Sequence, residues 1–386
     1  MTERLLIVGG SVRAAAMSVQ RAGFEPSAID RFADLDLCKI CRSFQRFDEL
    51  HQLPALIASS EATSWMFVGP LENYPDLVEQ ISANCRLLGN GTEVLQEVRN
   101  PLRLANALSE VGLLRPDVRH TNDLPSSGRW LRKPLRSAGG YEVERLDLAR
   151  MHDLDRENLT YVQQFISGQS IGATFIGGSD GAVLVGAAEQ LLGRDWGGAR
   201  PYQYVGSIGP IEVSTEHREQ LIHLGDFLAQ HFRLKGLFGV DAIINEAGVW
   251  PVEVNPRYTA SVEILERALE IATIPWHVAA CQSGELPPLV RYDNAEVSAE
   301  RHAKGVVYAN HSIVIDERLE HSLTSSGCED CDPTIADIPV AGTSINEGEP
   351  IVTVFAKGKT NAVARRELRA TMVRMKQLFN ASQRRA

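Results

Sequence analysis

The stretch Gly239-Val240-Asp241-Ala242-Ile243-Ile244, a turn, and then Trp250-Pro251-Val252-Glu253-Val254-Asn255-Pro256-Arg257 decides the fold. It reads as two adjacent antiparallel strands, each presenting an acid among apolar residues. Glu253 and Asn255 lie two positions apart and so share one strand face. Asp241, Glu253 and Asn255 are hard oxygen donors. Such a set suits Mg²⁺, which is usually held by one or two carboxylates together with substrate phosphates. Arg257, at the strand end, is placed to stabilise a transferring phosphoryl group. A solvated strand face fits Asp241 and Glu253 poorly, because their neighbours are nearly all apolar.

Upstream, Trp130-Leu131-Arg132-Lys133-Pro134 reads as a strand that delivers a lysine to the loop Leu135-Arg136-Ser137-Ala138-Gly139-Gly140. A lysine supplies a point charge for one phosphate, and loop N–H groups fold over the others. The order, lysine first and glycines after, differs from the P-loop. An exposed basic strand end followed by a glycine turn is the alternative reading.

The chain opens with the apolar run Leu5-Leu6-Ile7-Val8, then Gly9-Gly10-Ser11 and a small-residue helix to Arg21. A second strand ends at Asp30, another is expected over 64–68, a helix over 75–84 and a short strand over 86–88. This predicts a Rossmann-like α/β domain over 1–95, since buried parallel strands read as continuous apolar runs. Gly9-Gly10-Ser11 fails the dinucleotide pattern, leaving either a tight turn or a substrate contact through this turn or Arg13. Residues 101–112 read as helix. Strands alternate with glycine-rich turns over 128–270, and a helix closes that region over 260–271. Pro287-Pro288 marks a boundary, so 96–287 is the expected central unit and 288–386 a small β-rich unit.

Across the 386 residues, 44% are hydrophobic and 23% charged, as in ordinary globular proteins. Lys and Arg number 39 against 49 Asp and Glu, a net charge of −10. That balance argues against nucleic-acid and anionic-membrane partners, but not against a small anion at one local site. No apolar run reaches membrane-spanning length, and the start reads as a strand rather than a signal peptide. Six cysteines fit a reducing, cytoplasmic setting. Cys38–Cys41 and Cys328–Cys331 have zinc-like spacing, yet they lie in different expected units with only His321 nearby. The last 31 residues hold nine Lys and Arg and one Glu, with Leu368, Met372, Met375 and Phe379 on one helical face. The helix is expected to dock by that face.

Lys133-Pro134 with its loop, Gln163-Gln164-Phe165-Ile166-Ser167-Gly168, Gly239-Val240-Asp241 and Glu253-Val254-Asn255-Pro256-Arg257 together resemble the ATP-grasp superfamily. The C-terminal Ala336-Asp337-Ile338-Pro339 and Gly348-Glu349-Pro350-Ile351 resemble the closing unit of its biotin-carboxylase-like and phosphoribosyl-type members. The resemblance implies α/β and α+β architecture, with an N-terminal Rossmann-like domain, a two-lobed ATP-binding region and a β-rich closing domain. It implies ATP with two Mg²⁺ ions, for which Mn²⁺ can substitute.

By the same resemblance, Lys133 binds the α- and β-phosphates and Ser137, Gly139 and Gly140 cover the triphosphate. Gln163, Gln164 and Ile166 hold adenine; Asp241, Glu253 and Asn255 hold Mg²⁺; Arg257 contacts phosphate or the activated carboxylate. The family's early ATP-binding lysine is absent near Asn100-Pro101-Leu102-Arg103, where Arg103 is the candidate replacement. The activity implied is carboxylate–amine ligation through an acylphosphate. The alternatives are a carboxyphosphate-forming carboxylase, or a nucleotide-binding scaffold without turnover. Expected partners are a small acid and an amine, with homodimeric assembly.

Arg194, Tyr204 and Ser207 are candidate acceptor-binding residues, with a purely structural loop as the equal alternative. That segment and Asn255–Glu263 are similar to relatives of tyramine–glutamate ligase in tetrahydromethanopterin- and methylofuran-linked one-carbon metabolism. This similarity implies glutamate-type amide ligation in coenzyme synthesis.

Overall fold

A computed structural model describes residues 3–147, 159–288, 300–326 and 334–383. The N-terminal apolar run forms β1 (Arg4–Gly9), paired in parallel on both sides. With β2 (Glu25–Asp30), β3 (Ser43–Arg46), β4 (Ser64–Phe67) and β5 (Arg86–Leu87) it builds a parallel sheet in the order β3-β2-β1-β4-β5. Helices α1 (Arg13–Arg21), α2 (Leu35–Ile40), α3 (Leu53–Ala58) and α4 (Pro75–Ser82) connect these strands. Both faces are buried: Leu5 and Ile7 pack with α1, whereas Leu6 and Val8 pack with Trp65 and Phe67. The strand order reverses between β1 and β4. In such sheets the carboxyl ends at the reversal form a crevice, here bounded by Gly9-Gly10-Ser11 and Gly69-Pro70.

Helices α5 (Thr92–Val98) and α6 (Pro101–Glu110) lead to a four-stranded antiparallel sheet. Its strands are β6 (Val118–His120), β7 (Trp130–Pro134), β8 (Glu144–Arg145) and β9 (Thr160–Gln164), in the order β6-β9-β7-β8. The third and largest sheet includes β10 (Gln169–Gly178), β11 (Gly181–Leu192), β12 (Tyr204–Gly209), β13 (Gly236–Asn245) and β14 (Gly248–Asn255). It continues through β15 (Arg301–Tyr308), β17 (Ile335–Ala336) and β19 (Pro350–Gly358), in the antiparallel order β14-β13-β10-β11-β12-β15-β19-β17. Strands from either side of residue 288 therefore share one sheet. β16 (Ile313–Val314) and β18 (Ser344–Ile345) form a separate ribbon.

Several elements escaped the sequence reading. The segment 204–209, read as a cleft or a loop, is a strand deep within the large sheet. Helix α7 (Thr215–Phe232) starts at Ser214, whose hydroxyl accepts the His217 N–H at 3.2 Å. It buries Leu221, Leu224, Leu228 and Phe232 against Phe175 and Phe238 of the large sheet. α8 (Ala260–Leu269) is followed by α9 (Ile274–Ser283), and α10 (Glu317–Ser326) joins the β-rich end. The basic terminal helix α11 (Asn361–Gln383) forms as expected and buries Leu368, Met372 and Phe379 on β15 and β19. Cys38 lies in α2 and Cys41 caps it, both as free thiols; Cys328 and Cys331 lie outside the described residues.

One buried histidine fixes β13, the strand that carries Asp241. His277 of α9 accepts the Leu237 N–H at Nδ1 (2.8 Å), leaving Nε2 to donate to the Leu88 carbonyl at 3.2 Å. This arrangement needs the neutral ring, and burial lowers its pKa to about 4. A histidine depressed in the folded state contributes stability above its unfolded pKa, near 6.5, that is lost as pH falls toward about 4. The unfolding free energy of the wild type should therefore drop by about 1.4 kcal/mol per pH unit relative to His277→Gln between pH ~6.5 and ~4.5. Urea titrations of both proteins at three pH values measure that difference, and parallel curves would contradict it.

Candidate active site

The two-strand motif forms as read, and its register sets the geometry. Asp241 on β13 lies opposite Glu253 on β14, and Gly239 lies opposite Asn255. Asn255 donates its amide to Asp241 Oδ2 at 3.2 Å, and Gln190 of β11 donates to Oδ1 at 2.7 Å. Burial and the facing Glu253 push the Asp241 pKa up to about 6. Burial acts the same way on Glu253, but Arg99 and then Lys133 outweigh it and hold Glu253 below the usual carboxylate range.

Lys133, near the end of β7 on the small sheet, interacts electrostatically with these acids of the large sheet. It is buried, donates to Gln163 Oε1 at 3.2 Å, and sits over the Tyr161 ring. Burial alone would lower its pKa; Tyr161, Glu253 and Asp241 more than offset that. Gln163 in turn donates to the Val252 carbonyl at 3.2 Å, tying β9 to β14. Gln164 is exposed and accepts the Asp117 N–H, and Ile166 lies just beyond β9.

The loop after Lys133 is closed. The Ser137 carbonyl accepts from Asn73 Nδ2 at 3.0 Å, and the Gly139 carbonyl accepts the Tyr204 N–H at 2.8 Å. Gly140 has φ +67°, and a Cβ there would stand 2.1 Å from the Tyr202 carbonyl oxygen, so this close approach requires glycine. A residual space of about 20 Å³ remains between Arg99, Ser137, Tyr161 and Glu253.

Arg257 donates to Glu72 Oε1 at 2.5 Å and to the Tyr258 carbonyl at 3.0 Å. It lines a cavity of about 620 Å³ that extends past Gly10, Gly69, Tyr204 and Lys304 to Asp34 and Asp337. This cavity lies in the crevice at the β1/β4 reversal. The Tyr204 and Ser207 hydroxyls are 2.7 Å apart, with Ser207 fully buried on β12 opposite Lys304. Arg194 is not with them; it is exposed and borders a second cavity beside Arg132, Tyr141 and Arg200.

Arg103 does not reach the acids. It is exposed and pairs with Glu97. Arg99, four residues earlier, takes the place: it bonds Glu253, the Val254 carbonyl (3.1 Å) and Asn73 Oδ1 (3.0 Å). Arg99 caps the C-terminus of α5 and Asn100 caps the N-terminus of α6, so the residue in the short turn between the helices, not one within α6, faces the site. Glu72, Asn73, Gln190 and Arg99 were all missed, since each acts through a partner distant in sequence. Among the described residues no three His, Cys, Asp or Glu side chains converge as a metal cluster. Two facing carboxylates and an amide oxygen still fit Mg²⁺ that takes its remaining ligands from phosphates and water.

Residues 98–261, which hold Arg99, Lys133 and its loop, Gln163, Asp241, Glu253, Asn255 and Arg257, match the family described as ATP-grasp domain. The chain carries an ATP-grasp domain. An uncharacterised protein of Methanocaldococcus jannaschii is 22% identical over 287 residues, which span 72% of this chain and 65% of that protein. The ATP-grasp fold extends well beyond the matched segment. The biotin carboxylase domain of Hydrogenobacter thermophilus 2-oxoglutarate carboxylase, solved with MgADP and bicarbonate, superimposes with a TM-score of 0.72. It is 13% identical and the match covers 96% of this chain and 89% of that one. L-amino acid ligase from Bacillus licheniformis gives 0.70 at 12% identity, covering 96% of each chain.

Two arginines in the same helical neighbourhood should thus differ sharply in energetic weight. Arg99→Met strands Glu253 in a largely buried site and should cost about 2 kcal/mol or more. Arg103→Met, at an exposed pair, should change stability by no more than about 0.5 kcal/mol. Denaturant midpoints of the two variants provide the comparison; equal losses would contradict the placement of Arg99.

Proposed function

We propose that this protein is an ATP- and Mg²⁺-dependent ligase that joins a carboxylic acid to an amine through an acylphosphate. The reading is carried by one arrangement: Lys133, Arg99 and Arg257 meet the facing Asp241 and Glu253 where Arg257 opens onto the 620 Å³ cavity. Asp241, Glu253 and Asn255 would hold Mg²⁺, which supplies charge neutralisation on the phosphates. Lys133 positions the α- and β-phosphates, and Ser137, Gly139 and Gly140 cover the triphosphate. Gln163, Gln164 and Ile166 lie toward adenine. Phosphate entry between Arg99, Ser137, Tyr161 and Glu253 requires the loop after Lys133 to lift, because the space there is only about 20 Å³.

Arg257 orients the acid, whose oxygen attacks the γ-phosphorus while ADP leaves with the P–O electron pair. The amine nitrogen then attacks the acyl carbon, phosphate departs, and the nitrogen gives up its proton. No protein nucleophile is needed; positioning and charge stabilisation carry the rate.

Cavity size agrees with an organic substrate, as the ligase reading requires. A space of 620 Å³ falls in the range of about 300–1,000 Å³ typical of organic-ligand sites, far beyond the needs of bicarbonate. The finer reading, glutamate-type amide ligation in one-carbon coenzyme synthesis, is supported by the motif resemblance in Asn255–Glu263. A homodimer, and the division into 1–95, 96–287 and 288–386, belong to the same proposal. The related biotin carboxylase domain is itself described as a dimer.

ADP release across panels of acids and amines tests the activity. Lys133→Met and Glu253→Gln should each lower it by roughly 100-fold or more. Undiminished release from Glu253→Gln would sink the reading. Acid labelled with ¹⁸O should pass label to phosphate, and mass spectrometry should find the amide; stimulation by bicarbonate alone would favour the carboxylase.

A further inference from the structure

Around Arg13 the buried charges do not balance. Arg13, Lys304 and Arg267 face Glu263, Asp337, Asp36, Asp34 and Asp30, three cations to five carboxyl groups. Four of the five are held. Glu263 is bonded by Arg13 and by Lys304 at 3.1 Å, and Asp337 accepts Arg13 Nε at 2.9 Å. Asp36 accepts the Asp337 and Ile338 N–H groups, both at 3.0 Å. Asp30 accepts the N–H groups of Val12, Phe32 and Ala33 at 2.7–2.8 Å.

Asp34 alone of the five is left over. It is only 7% exposed and precedes α2 at the position where an aspartate normally caps the helix, yet its side chain makes no capping bond. Its backbone carbonyl accepts the Cys38 N–H at 3.0 Å, but its side chain makes no hydrogen bond or ion pair with any described residue. Instead it lines the 620 Å³ cavity with Arg13, Lys304 and Asp337. Burial, then Asp337, Asp30 and Asp36, raise its pKa well above the usual carboxylate range. A buried carboxyl in that field lacks the partner that would let it ionise. Arg31 and Arg46 line the same cavity, but both are exposed and Arg46 pairs with Asp48 at 3.2 Å.

We propose that the cavity takes a substrate bearing an ammonium or guanidinium group remote from its reacting end, with Asp34 as the counter-ion. The proposal rests on the ligase reading in treating this cavity as the substrate side. The remoteness follows from the sheet: Asp34 follows β2, whereas Arg257 is bonded to Glu72, which follows β4, and β2 and β4 flank β1 on opposite sides. The substrate class is accordingly a diamine, a basic amino acid or a molecule built on one.

Equilibrium binding tests this without turnover. The probes are 1,4-diaminobutane, 1,5-diaminopentane, L-ornithine, L-lysine and L-arginine, beside butylamine, pentylamine, L-norvaline and L-norleucine, which lack the second cation. Calorimetry and thermal-shift measurements on the full chain should find at least one dication or basic amino acid bound. Its counterpart without that cation should bind at least tenfold more weakly. Asp34→Asn should weaken the cation by tenfold or more while leaving MgADP binding unchanged. No binding by any cation while MgADP still binds, equal binding of a cation and its counterpart, or undiminished binding to Asp34→Asn would each overturn the proposal. The comparison of cation with counterpart needs no variant, so misfolding of Asp34→Asn leaves the test intact. Absence of MgADP binding would instead count against the ligase reading.

Discussion

A single carboxylate with no access to water organises the molecule. Glu263 of α8 is fully buried, and it bonds Arg13 from the N-terminal sheet's first helix and Lys304 from β15. Arg13 also bonds Asp337, so four segments separated by tens to hundreds of residues meet at the Arg13–Glu263 pair. A charge so placed is costly unless every partner is present, which makes the cluster all-or-none. Burial alone would raise the Glu263 pKa; Arg13, Lys304 and Arg267 reverse that and leave it far below the usual range. The cluster thereby fixes the parallel sheet against the large antiparallel sheet and, through Arg13, Lys304 and Asp337, forms one wall of the 620 Å³ cavity.

The catalytic side depends on the opposite treatment of two acids. Glu253 is held ionised by Arg99 and Lys133, while Asp241, held by two amide donors, is pushed toward the neutral form. Two facing carboxylates cannot both ionise cheaply without added positive charge between them. A divalent cation with its phosphates meets that need. The same logic, with an organic cation in place of a metal, applies to the surplus carboxyls near Asp34.

The sequence made legible what is local and periodic. The strands at 239–244 and 250–254 were readable because a lone acid amid apolar residues is rare without a use, and β1 because a buried parallel strand is continuously apolar. Helix α7 was missed although Leu221, Leu224, Leu228 and Phe232 recur at helical spacing. The polar residues between them, from Thr215 to Gln230, diluted the pattern. Strand β12 was obscured because its glycines and hydroxyls, buried between β11 and β15, look like a loop. Arg99 could not be told from Arg103 by spacing, because a short turn decides which one faces inward. Glu72 and Asn73, joined to the site only by tertiary contact, left no local signal.

The loop after Lys133 links the two halves of the site mechanically. Its Gly139 carbonyl is held by the Tyr204 N–H, and Tyr204 also lines the 620 Å³ cavity and meets Ser207 through its hydroxyl. Tyr308 of β15 donates to the Tyr204 carbonyl at 2.7 Å, continuing the connection to the strand that carries Lys304. Lifting the loop must break the Gly139 bond and the Asn73 bond to Ser137, freeing two loop carbonyls, the Tyr204 N–H and the Asn73 amide. A ligand bound to both the loop and Tyr204 would replace those bonds. Under the proposed function, nucleotide and substrate meet at a strand whose buried hydroxyls and glycines make poor hydrophobic core but a good shared wall.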